Sequence, residues 1–145
     1  MRVTEEAWTE ISRHAQDAFP DECCGVIVSD GRSDYAQRLK NMQNTLHALD
    51  PQTYPRTAEI AYAMDPLELE AVIRQADSKG QKLKAFYHSH PNHPAIPSEH
   101  DRAAAQPFFS YLIISVNDKQ PGAIRSWRLN DDLQFEEENN HLLTF

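Results

Sequence analysis

The sequence predicts an α+β fold, a single mixed, mostly antiparallel β-sheet flanked by helices. Two segments carry apolar residues at helical spacing, several others form short apolar runs or alternate in strand fashion, and Asp-Gly and Pro-Gly pairs punctuate them. The 145 residues suit one domain spanning 1–145, large enough to bury a core without disulfides.

Residues 4–18 hold Ala7, Trp8, Ile11, Ala15 and Ala18 at helical spacing, with Thr4 as N-cap and acids in the first turn. Phe19-Pro20-Asp21 ends that helix. Cys23 to Ser29 reads as an apolar strand closed by Asp30-Gly31, and a more polar strand over 33–40 returns from it. Residues 41–56 read as loop, and 58–63 as a strand. Asp65-Pro66 supplies a cap and first-position proline for a helix over 67–78, with a Leu69, Val72, Ile73, Ala76 stripe and Gly80 as its stop. Residues 82–90 alternate Leu83, Ala85 and Tyr87 against Phe86 and His88, as a strand does. Two more strands are expected at 109–116 and 124–129, turning at Pro121-Gly122.

Composition excludes several functions. There are 14 basic against 22 acidic side chains, a net charge of −8, and no Lys/Arg cluster that would bind nucleic acid. Asp131, Asp132, Glu136, Glu137 and Glu138 supply five of those acids, and the run reads as a solvated face. The most apolar stretch, 111–116, falls far short of the ~20 residues a membrane span needs. Glu5, Glu6 and Glu10 stand where the apolar core of a signal peptide would fall, so a reducing cytoplasmic location is expected. Cys23 and Cys24 agree, since adjacent cysteines rarely bridge; they read as small buried strand residues.

One segment stands apart: His88-Ser89-His90-Pro91, followed by Ser98 and Asp101. Residues two apart in a strand share a face, so His88 and His90 offer two imidazoles side by side. The proline-rich loop of Pro91, Pro94 and Pro97 can fold back and bring Asp101 to them as a third ligand. Two imidazoles and a carboxylate leave a tetrahedral Zn2+ one open position, which is the pattern of catalytic rather than structural zinc. Glu22, at the mouth of the first strand, is a candidate proton shuttle, and Ser98 a candidate oxyanion donor. Ser98 to Asp101 equally fits a helix capping box, and the two readings are compatible. His14, His47, His93, His100 and His141 read as surface or loop histidines, with His93 and His100 the substitutes for a misassigned ligand.

Glu22, then His88-Ser89-His90-Pro91, seven residues, Ser98, two residues and Asp101 together resemble the JAMM (MPN+) metalloprotease signature. The resemblance runs from the first helix to about Leu129. It implies the MPN fold, a three-layer arrangement like that of cytidine deaminases, and one zinc ion held by His88, His90 and Asp101. It makes Glu22 the general base and Ser98 the oxyanion donor. It further implies cleavage of a peptide or isopeptide bond after the C-terminal Gly-Gly of a ubiquitin-like or sulfur-carrier protein. With only ten residues between His90 and Asp101, the chain resembles the stand-alone prokaryotic form, without the insertions that grip polyubiquitin. The alternatives are a non-catalytic MPN scaffold, which characteristically loses ligands, and a zinc amidase acting on a small molecule.

Overall fold

In the computed structural model, which describes residues 1–138, six strands form one sheet in the order β2-β1-β3-β4-β5-β6. Their ranges are β1 (Cys24–Ser29), β2 (Asp34–Leu39), β3 (Lys82–Pro91), β4 (Ser110–Asn117), β5 (Gln120–Leu129) and β6 (Phe135–Glu137). Only β3 and β4 pair in parallel. A parallel pair needs a crossover, and the segment 92–109 supplies it, with helix α4 (Glu99–Ala104) inside. The other helices are α1 (Glu5–Ala18), α2 (Gln43–Leu49) and α3 (Pro66–Ser78).

The sheet sits between helices as the middle of three layers. Helix α1 presses Ala7, Ile11 and Ala15 onto Ile27, Ala85, Tyr87, Leu112 and Ile114. On the opposite face Leu69, Val72 and Ala76 of α3 cover Cys24, Val26, Val28 and Leu39. Each such fully buried Val, Leu or Ile contributes about 1.5–3 kcal/mol. Asp65 caps α3 by accepting the Leu67 N–H, ahead of Pro66 in the first turn. Thr4 is the N-cap of α1 but makes no side-chain cap bond, because its hydroxyl donates to the Asp34 carbonyl instead.

Several expectations need correction. Residues 58–60 form a turn and 61–63 irregular chain, not a strand, since polar side chains take bonds a ladder would make. The Ala58 N–H donates to Asn44 Oδ1 and the Ala63 N–H to Asn41 Oδ1. Residues 43–49, read as loop, form α2, a helix too short and too sparsely apolar to show a period. Leu83 lies on the α3 face with Phe86, opposite to Ala85, because the β1–β3 register shifts so that Ile27 faces Ala85 and Val28 faces Leu83. The extra residue, Lys84, is a bulge that flips the alternation. The β4–β5 turn falls on Asp118 and Lys119, both at positive φ, and Pro121-Gly122 lies within β5. There β6 does not reach, so the proline costs no ladder bond. Asp131, Asp132, Glu136 and Glu137 of the acidic run are exposed and Glu138 is half-buried, and the run also supplies β6, with Glu137 gripping Arg125 through two bonds. Residues 141–145, His141 included, lie outside the described residues.

Cys23 and Cys24 are buried and unpaired, and burial pushes the Cys23 thiol up to about 12. No helix among the described residues is long and apolar enough to cross a membrane. His14 is buried rather than at the surface. It shares the inward stripe of α1, and its Nδ1 lies 2.7 Å from the Tyr87 hydroxyl. Burial, with Arg38 adding to it, lowers its pKa from 6.5 to about 4. An unfolded His14 gains a proton near 6.5, so below that pH the unfolded state binds more protons and folding stability falls as pH drops toward 4. Urea denaturation across that range is expected to show a shallower loss for His14→Gln than for wild type; equal slopes would contradict the assignment.

Candidate active site

The β1–β3 register pairs Cys24 with His88, so the chain entering β1 runs beside the end of β3. Ser89 secures that junction: its N–H donates to the Cys23 carbonyl and its Oγ accepts the Cys23 N–H at 2.7 Å. Glu22 is thereby carried to the level of the two histidines. Strand alternation turns Tyr87 and Ser89 toward α1 and leaves His88 and His90 on the other face.

Helix α4 brings the carboxylate. Ser98 Oγ accepts the Asp101 N–H at 3.1 Å, and Asp101 Oδ2 accepts the Ser98 N–H at 2.9 Å, a complete capping box. The same Oδ2 lies 3.0 Å from His90 Nε2 and 3.3 Å from His88 Nε2, and the two Nε2 atoms are 3.1 Å apart. A donor atom of Glu22 completes a buried group whose four atoms all lie within 4.8 Å of one another. Ser98 lines the cleft, its Oγ accepting the Asp101 N–H.

Proton accounting shows that this group fits a cation. His90 Nδ1 lies 2.8 Å from the Pro94 carbonyl, which can only accept, so Nδ1 carries the proton. In neutral His90, Nε2 is then a bare lone pair facing Asp101 Oδ2, another lone pair. His88 can supply at most one proton to the trio, and doing so strips Nδ1, which is buried without a hydrogen-bond partner. A divalent ion satisfies all three lone pairs at once. Two nitrogens and a carboxylate oxygen, with neither cysteine among them, match zinc chemistry. Glu22 stands slightly apart: its Oε1 is buried with no partner and makes no hydrogen bond to the trio.

The electrostatics agree with separate roles. Burial first, and then Asp101, push Glu22 up to about 9, with Arg56 opposing. Burial alone would raise Asp101, but His88, His90 and the Ser98 N–H outweigh it and hold the carboxylate well below its usual range. Burial lowers the pKa of His88 despite Asp101 beside it, favouring the neutral imidazole. Glu22, His90 and Ser98 open onto a cleft of about 400 Å³ walled by Arg56, Ile60, His93, Pro94 and Ile96. A larger cavity of about 920 Å³ lies at the other end of the sheet, against Asp30 and Lys82, and touches none of the four donors.

His93 lines the cleft but is not among the four donors, and neither is His100. Three residues that escape sequence reasoning support the site, all from the aperiodic segment 41–64. Tyr62 stacks on His88 with ring centroids 4.4 Å apart. Arg56 borders the cleft. Asn41 uses its whole amide: Nδ2 donates to the Glu22 and Ala61 carbonyls, while Oδ1 accepts the Gln43 and Ala63 N–H groups. The only available signal was Asn41 itself, a residue suited to bridging irregular backbone.

A family model described as prokaryotic homologs of the JAB domain matches residues 4–130. A desampylase from Haloferax volcanii is 30% identical over 120 residues, covering 79% of this chain and 80% of its own. A CysO-cysteine peptidase from Mycobacterium bovis is 30% identical over 128 residues, 88% of this chain and 81% of its own. The solution structure of a protein from Desulfitobacterium hafniense matches with a TM-score of 0.77 and 26% identity, over 99% of this chain and 92% of that one.

Because Asn41 ties the Gln43 N–H and the 61–63 backbone to the Glu22 carbonyl, Asn41→Ala is expected to lower unfolding stability by about 2 kcal/mol. Chemical denaturation checks this, and a change near zero would mean that solvent replaces the clamp.

Proposed function

This chain belongs to the prokaryotic homologs of the JAB domain, and from that premise we propose that it is a zinc metallopeptidase hydrolysing the amide bond after the C-terminal Gly-Gly of a ubiquitin-like or sulfur-carrier protein. The observation that carries the reading is the buried convergence of Glu22, His88, His90 and Asp101. The desampylase and CysO-cysteine peptidase relatives support the substrate class. A purely scaffolding role gives no reason to bury Glu22 with an oxygen unpartnered.

In this reading His88 and His90, through Nε2, and Asp101, through Oδ2, hold the zinc. The bound ion supplies Lewis-acid polarisation of the scissile carbonyl and acidifies water at neutral pH. Glu22, close to the trio but not in it, takes a proton from the attacking water and delivers it to the leaving amine. Ser98 donates its hydroxyl hydrogen to the developing oxyanion, its lone pair already engaged by the Asp101 N–H. The Pro94 carbonyl holds the His90 ring so that Nε2 keeps facing the metal. A Gly-Gly tail suits the narrow approach, since residues without Cβ pass most easily between the cleft walls.

We assign the protein to the cytoplasm and treat the whole chain as one domain. Two buried free thiols suit a reducing compartment, and one sheet runs through residues 24–137.

The test is to load the protein with Zn2+, quantify bound metal, and offer a carrier joined through Gly-Gly to a reporter. Glu22→Gln is expected to retain zinc while losing activity by 10²-fold or more, on the order of a general-base contribution. His88→Ala is expected to lose both zinc and activity. Cleavage that survives Glu22→Gln would overturn the base assignment, and failure of the wild type to take up zinc would overturn the metal site.

A further inference from the structure

Four arginines, Arg38, Arg74, Arg102 and Arg125, each pair with a carboxylate. Arg2, Arg13, Arg32, Arg56 and Arg128 form no ion pair among the described residues, and of these five it is Arg56 that lines the cleft beside Glu22, His90 and Ser98. It is nevertheless held in place. Its carbonyl accepts a bond from Nε2 of the buried Gln43 at 3.0 Å, and its Nη1 donates to the Ile60 carbonyl at 3.2 Å. That leaves most of a five-donor fork unused beside the cleft that Glu22, His90 and Ser98 share. A fixed guanidinium without an acid partner, bordering a substrate cleft, is suited to bidentate recognition of a carboxylate.

Resting on the hydrolase reading above, we propose that Arg56 selects the leaving group by binding its free α-carboxylate. The carrier tail offers no anion here, because its C-terminal carboxyl is consumed as the acyl group. A carboxylate met by Arg56 therefore comes from the amine side, and Arg56 shares its cleft with Glu22, the group that protonates the departing nitrogen. An amino acid acylated on its α-amine has a carboxylate one carbon from that nitrogen. A lysine joined through its side-chain amine has only methylenes there, with its α-carboxyl locked in a peptide bond. Arg56 therefore favours conjugates in which the Gly-Gly tail is joined to a free amino acid over those joined to a protein lysine. The chemistry is plain hydrolysis. The amide C–N bond breaks, water oxygen joins the acyl carbon, and a water proton passes through Glu22 to the amine.

The experiment uses zinc-loaded protein and two substrates of one carrier. In the first the Gly-Gly tail is joined to the α-amine of an amino acid, and in the second to the same amino acid as its carboxamide. Wild type is expected to favour the acid in kcat/KM by about 10- to 100-fold, as one charged hydrogen-bonded pair allows. Arg56→Gln should bring the two rates close together by slowing the acid substrate, and Arg56→Lys should keep part of the preference. Equal wild-type rates, or equal slowing of both substrates in Arg56→Gln, overturn this proposal and leave the hydrolase reading standing. No cleavage of either substrate by wild type overturns this proposal, and no cleavage of the Gly-Gly reporter carrier as well overturns the hydrolase reading. If Arg56→Gln fails to fold, the wild-type ratio and Arg56→Lys still decide.

Discussion

Three lone pairs, on His88 Nε2, His90 Nε2 and Asp101 Oδ2, meet within 3.0–3.3 Å of one another in the buried interior. With both imidazoles neutral and no cation such a meeting is unfavourable, because at most one proton lies among the three acceptors and there is too little water to screen them. The surrounding elements must therefore hold it in place. Strand β3 fixes the two imidazoles by its alternation, and its neighbours on both sides, β1 and β4, make it an interior strand. Because β4 runs parallel to β3, the chain must cross over, and that crossover delivers Asp101.

The capping box of α4 shows how helix stability and site geometry use the same atoms. Asp101 Oδ2 satisfies the Ser98 amide and faces both histidines, while Ser98 Oγ satisfies the Asp101 amide and Ser98 lines the cleft. The structural and chemical readings of Ser98-Glu99-His100-Asp101 are thus one arrangement seen from two sides. A short helix of six residues gains orientation from it, and the carboxylate gains a fixed direction.

The donors were legible because they follow local rules. A period of two puts His88 and His90 on one face, and the Ser98 to Asp101 spacing is a helix-start pattern. Both layers of helix and most strands follow from periodicity for the same reason. What stayed hidden depends on contacts made across the fold. Asn41, Arg56 and Tyr62 sit in a segment ordered by side-chain to backbone bonds, which leave no period to read. The Lys84 bulge reversed the facing of Leu83, and the two positive-φ residues Asp118 and Lys119 took the turn from Pro121-Gly122. His14 looked like a surface histidine because only the fold reveals the Tyr87 hydroxyl it meets.

If these donors form one nitrogen- and oxygen-bound metal site, to which the adjacent cysteines contribute nothing, the bound zinc carries that signature. X-ray absorption at the zinc edge of the loaded protein tests it most directly. One zinc per chain is expected, surrounded by two imidazoles and oxygen donors. A sulfur shell at about 2.3 Å, or a spectrum without imidazole scattering, would contradict it.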